Sequence, residues 1–147
     1  MKTVGYAFVV GDLLHIGHLH FFQKCKRHCD FLIVGVYTDR LTESYKRKPV
    51  IPFEERIELV AALKLVDMVV EVEYRECTPM LKKLTSEGWE IDFLFHGDDW
   101  DLSSDEDLKR SKEYIESIGG KLVLTPYHEG QNTTLIIQKI IGSEFYG

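Results

Sequence analysis

Short, nearly unbroken apolar runs recur along the chain at Val4–Val10, Phe31–Tyr37, Met68–Val72, Phe93–Phe95 and Leu122–Leu124. Their continuity, rich in β-branched and aromatic residues, predicts parallel strands buried on both faces. Between them the spacing becomes helical. Leu19, Phe22, Cys25 and Cys29 lie close to one face, as do Ile57, Val60, Ala61 and Lys64 beyond Pro52. Thr78-Pro79 opens a segment carrying Met80, Leu81 and Leu84, with proline at the favoured first position. Tyr114, Ile115 and Ile118 run into Gly119-Gly120, a C-terminal stop. Leu135, Ile136, Lys139 and Ile140 follow Asn132-Thr133, which suits an N-cap. Strands and helices alternate throughout. That predicts an α/β fold with a doubly wound five-stranded parallel sheet, right-handed crossovers and a single domain over residues 1–147. Ligands of such sheets bind beyond the carboxyl ends of the strands. The loops after the first, second, fourth and fifth strands are therefore the candidate site.

Composition narrows the function classes. The net charge of −6 and pI of about 5.5 argue against a general nucleic-acid-binding surface. They also make any basic cluster more informative. No apolar run approaches the roughly 18 residues of a membrane span, so no membrane partner is expected. The start, "MKTVGYAFVV", enters a strand-like run without a signal-peptide pattern. Cys25, Cys29 and Cys77 are odd in number and form no Cys-x-x-Cys pair, as suits the reduced thiols of a cytoplasmic protein.

Candidate chemistry begins in "VVGDLLHIGHLHFF", residues 9–22. Val9 and Val10 end the first strand, Gly11 to Gly17 form a loop that includes Asp12, and His18 is expected to open the first helix. A helix N-terminus exposes backbone N–H groups and partial positive charge, which together favour a phosphate. Gly17 permits close approach of a ligand, and His15 and His18 can donate hydrogen bonds to phosphate oxygens whose charge grows in a transition state. A zinc site through His15, His18 and His20 is disfavoured. His20 points away from His18 on a helix, and no cysteine or carboxylate completes the ligand spacing.

His15-Ile16-Gly17-His18 resembles the His-x-Gly-His signature of the nucleotidylyltransferase superfamily. Four further segments resemble its cytidylyltransferase branch: "TDRLTESYKRKP", "PFEERIELVAALKLVD", "HGDDW" and "EGQNTT". The resemblance covers essentially the whole chain and implies a Rossmann-like domain. It implies that Lys46 bridges acceptor and nucleotide phosphates with Lys48 assisting, whereas an ordinary basic run would be a solvated loop. Lys64 stands where the family usually has arginine and would keep a phosphate contact without bidentate recognition. Val9, Val10, Gly11, Asp12 and Gly17 are assigned to the nucleotide, and Asp67 suits a structural anchor. Gly97, Asp98, Asp99 and Trp100 of "HGDDW" face the same crevice. Gly97 and Asp98 are assigned to the nucleotide, Asp99 and Trp100 to the acceptor, and Asp12 or Asp98 could contribute to a magnesium ion. Tyr127, His128, Gln131, Asn132, Thr133 and Thr134 precede or open the last helix and would receive the β- and γ-phosphates.

The chain also departs from the family pattern. Tyr127, His128 and Asn132 replace arginine, threonine and serine, Gly11 stands where phenylalanine is frequent, and Val9 where glycine is. "SYKRKPVIPFEER", "HGDDW" and "GGKLVLTPYHEG" resemble cytidylyltransferase domains associated with phosphonate biosynthesis at least as well as glycerol-phosphate enzymes. The resemblance thus implies CMP transfer from CTP, with magnesium, to a small phosphate- or phosphonate-bearing acceptor, and a homodimer. Adenylyl transfer and a non-catalytic nucleotide-binding module are the alternatives.

Overall fold

The computed structural model describes residues 2–97, 105–126 and 132–142. Five strands form one sheet: β1 (Val4–Val9), β2 (Phe31–Tyr37), β3 (Met68–Val72), β4 (Phe93–Gly97) and β5 (Lys121–Thr125). All neighbours pair in parallel, in the order β3-β2-β1-β4-β5. The chain winds outward from β1 to β3, then returns beside β1 and winds the other way. The switch in strand order therefore lies between β1 and β4. At that point the flanking loops diverge and leave a crevice at the carboxyl ends.

Six helices cover the sheet: α1 (Ile16–Lys26), α2 (Asp39–Glu43), α3 (Phe53–Ala61), α4 (Thr78–Ser86), α5 (Glu106–Ser117) and α6 (Thr133–Ile141). The continuous apolar strands divide between two cores because alternate side chains point to opposite faces. Ala7, Leu32, Val34, Val36 and Phe95 pack with Phe22 and Cys25 of α1 and Val60 of α3. Tyr6, Ile33 and Leu94 pack on the other face with Leu81 and Leu84 of α4 and Ile115 of α5.

The expected strands and most helix ends match the structure. Proline stands in the first turn of α4, and Asn132 caps α6 by accepting from the Leu135 N–H at 2.8 Å. Two boundaries differ from expectation. α1 begins at Ile16 with His15 as its N-cap, so His18 sits inside the first turn instead of opening the helix. The five-residue α2 has no apolar period to announce it. It forms because the Thr38 hydroxyl accepts from the Leu41 N–H at 3.1 Å.

Two aspartates pin the amino edge of the sheet. Asp67 accepts from the Leu32 N–H at 2.8 Å and pairs with Lys26, the anchoring role expected of it. Asp92 accepts from the Val4 N–H at 2.9 Å, which sets β1 against β4.

Candidate active site

The first loop is held from below by a buried carboxylate. Asp12 accepts from the Val50 and Ile51 N–H groups, both at 2.9 Å, and from the Arg47 guanidinium at 2.7 Å. Burial alone would raise its pKa, but those three donors outweigh it and hold the carboxyl below the usual carboxylate value. Both oxygens are engaged, and the metal-ligand role expected of Asp12 gives way to a structural one. Arg47, taken from the sequence only as part of a basic cluster, is its counter-charge.

Gly11 precedes it with φ of +72°, a conformation that glycine adopts without penalty, and a Cβ there would stand 3.3 Å from Val60 Cγ2. At that φ any side chain, the family's frequent phenylalanine included, would be strained.

Arg56 is the residue that sequence reading missed. Its guanidinium is fully buried and donates to the carbonyls of Val10, Tyr37 and Ile51 and to Asp39. It ties the ends of β1 and β2 to the start of α3. Its signal was present in "PFEER", but the partners are backbone atoms that no residue pattern reveals.

At the start of α1 the two histidines cap each other's turn. The Gly17 N–H donates to His15 Nδ1 at 3.0 Å, and the His15 N–H donates to His18 Nδ1 at 3.2 Å. An Nδ1 that accepts carries no proton, so in each neutral ring the proton resides on Nε2. The rings lie 4.1 Å apart between centroids. Burial, reinforced by His15 and Lys46 and opposed by Asp12, pushes the His18 pKa down to about 4. Near neutral pH it is therefore a neutral donor.

Both rings line a cleft of about 630 Å³ at the switch in strand order, a volume suited to a nucleotide-sized ligand. Gly17, Lys46, Gly97, Asn132, Thr133 and Thr134 line it too, which brings four of the five separately identified segments together, "PFEERIELVAALKLVD" contributing no lining residue. Phe8 and His96 form part of its wall, with ring centroids 5.2 Å apart. The Thr133 hydroxyl donates to the Asp12 carbonyl at 2.7 Å, so its proton serves the loop.

Other expected residues stand elsewhere. Val9 packs against the core and Lys48 is exposed outside the cleft lining. Lys64 is exposed in the turn between α3 and β3, at the amino edge of the sheet. The helix carries it to the opposite end from the cleft, which removes its expected phosphate contact. Asp98, Asp99, Trp100, Tyr127, His128 and Gln131 lie outside the described residues. Among the described residues no group of three or more His, Cys, Asp or Glu could hold a metal, and no helix is long and apolar enough to cross a membrane.

A doubly wound sheet whose switch-point cleft is lined by His15, His18 and Lys46 defines a Rossmann-like domain. The chain belongs to the cytidylyltransferase-like family, whose model matches residues 11–139. The bifunctional protein HldE of Citrifermentans bemidjiense is 35% identical over 134 residues, covering 90% of this chain and 26% of that protein. HldE of Cronobacter sakazakii is 38% identical over 133 residues, covering 89% and 26%. The chain thus spans about a quarter of the length of these relatives. Among solved structures, a lipopolysaccharide core biosynthesis protein from Thermoplasma volcanium shares the fold with a TM-score of 0.68 and 21% identity, over 89% of this chain and 100% of that one. Pantoate-beta-alanine ligase from Francisella tularensis shares it with a TM-score of 0.57 and 16% identity, over 90% and 61%.

Proposed function

We propose that the chain transfers CMP from CTP to a small acceptor bearing a phosphate or phosphonate, releasing pyrophosphate. The observation that carries this reading is the reciprocal histidine cap, which fixes two Nε2–H donors beside Lys46. An acceptor oxygen attacks the α-phosphorus in line and the bond to the bridging oxygen breaks. Its electron pair leaves with pyrophosphate. A phosphate or phosphonate oxygen is already deprotonated, so no general base is needed, and positioning with charge stabilisation supplies the rate.

His15 and His18 donate to the α-phosphate and its bridging oxygen, and Lys46 holds acceptor and nucleotide together. The backbone N–H groups at the start of α6 receive the outer phosphates. Asp98 is the residue that would hold a magnesium ion carried by the triphosphate, which would there neutralise phosphate charge. Asp99 and Trp100 serve the acceptor, and Tyr127, His128 and Gln131 the nucleotide. The family resemblance supports these last assignments and the homodimer, which light scattering would check.

The test is pyrophosphate release with magnesium and either CTP or ATP, across glycerol 3-phosphate, phosphocholine, phosphoethanolamine and simple hydroxy- and aminophosphonates. CTP-dependent release with one acceptor is the expected result. Release with ATP alone would transfer the same chemistry to an adenylyl donor. Nucleotide binding without product from any acceptor would leave a binding module and overturn the reading.

A further inference from the structure

The cleft holds a cation that none of the sequence motifs contains. Lys24 lies on α1 beyond His18, and its Nζ donates to the Pro126 carbonyl at 3.0 Å. This brings the ammonium to the carboxyl end of β5, just ahead of α6. Lys24 and Pro126 both line the cleft with Thr133 and Thr134. Lys46 reaches the same cleft from the loop after β2. Because β2 and β5 flank β1 and β4 in the sheet, the two lysines enter from opposite sides. Among the described lining residues there is no carboxylate, although the chain as a whole carries a net charge of −6.

The partner of Lys24 is a neutral carbonyl, so the positive charge is not cancelled there. An ammonium has three hydrogens, and the Pro126 bond uses one. Two donors remain, and Lys24 lines the cleft together with Thr133 and Thr134 of the first turn of α6. The next residue, at position 127, is tyrosine where the family pattern described above has arginine. A flexible four-carbon stem lets Lys24, on a neighbouring helix, bring charge to the Pro126 carbonyl at the end of β5.

We infer that Lys24 holds the β- and γ-phosphates of the nucleotide, and the pyrophosphate they become, opposite Lys46 on the acceptor side. The inference rests on the nucleotidyl-transfer reading and assigns its leaving-group cation. Isothermal titration with CTP, CMP and pyrophosphate, each with magnesium, tests it on the unaltered chain, Lys24→Gln and Lys24→Arg. Glutamine keeps a donor for Pro126 and removes the charge, and thermal melting verifies the fold of each variant. Lys24→Gln should weaken CTP and pyrophosphate about ten- to hundredfold while CMP changes less than about twofold, and Lys24→Arg should recover most of the loss. If Lys24→Gln does not fold, the same contrast is read from Lys24→Arg against salt, where CTP but not CMP must stay strongly salt-sensitive. Equal weakening of CMP and CTP would place the lysine at the nucleoside and overturn the inference, as would undiminished CTP affinity. If the unaltered chain binds CMP and CTP equally well, the phosphate subsite itself is refuted. Failure to bind either, with ATP and AMP also tried, would refute the functional reading and the inference with it.

Discussion

His15 and His18 each accept at Nδ1 from the backbone at the start of α1, and under the proposed function Nε2 of each ring serves the nucleotide. The two duties are separable. His15→Asn retains an oxygen that can accept from the Gly17 N–H but loses the Nε2 donor. Its turnover should fall roughly a hundred- to thousandfold with little change in melting temperature. His15→Ala loses the cap as well and should cost about 1 kcal/mol of stability, read from urea unfolding. An asparagine variant with near-normal turnover would refute the donor role. Gly11 offers a second residue-scale test. At φ of +72°, Gly11→Ala should destabilise the fold by about 1–2 kcal/mol. The histidine pair stood out in the sequence because its spacing is local, set within one helical turn, although its capping bonds did not. Lys24 was not, because its partner lies 102 residues away and is a backbone oxygen.

The elements were mostly legible, and the exceptions have a common physical cause. Strands and long helices repeat a period, whereas α2 is one turn held by a threonine cap and leaves no periodic trace. Arg56 looked like one more polar residue of an amphipathic helix, yet it joins three chain segments through their carbonyls. Arg56→Met would leave those oxygens buried without donors and Asp39 without its partner. A loss of about 3–5 kcal/mol in urea unfolding is expected. The start of α1 predicts a pH dependence. Folding lowers the His18 pKa from 6.5 to about 4, so between those values the unfolded chain binds a proton that the folded one does not. Stability from this group is therefore complete above pH 6.5, declines as pH falls toward 4, and changes no further below. His18→Asn should flatten that part of the stability profile, and an unchanged slope would show that His18 titrates normally.

The whole molecule sets an acid-free cleft lining, among the described residues, within an acidic protein. Such a contrast focuses the field on the cleft and repels anions elsewhere. Under the proposed function, raising salt from about 50 to 500 mM, a range over which the Debye length falls severalfold, should raise KM for the nucleotide far more than it alters kcat. A salt-independent KM would count against a charge-guided site. The parallel sheet and the place of the crevice followed from alternating element types, and residues beyond β1 and β2, at the ends of β4 and β5 and at the start of α6 do line it. What the pattern could not supply was the far end of Lys64, since the direction of α3 carries it to the opposite edge. The bond from Thr133 to the Asp12 carbonyl, spanning 121 residues, has a consequence in time. During synthesis the histidines leave the ribosome long before the wall they face. A chain halted before α6 has its histidines and Lys46 but lacks that wall, so under the proposed function competence for the ligand arrives only once α6 has emerged. Copies halted short of α6 should therefore sequester none of the nucleotide pool.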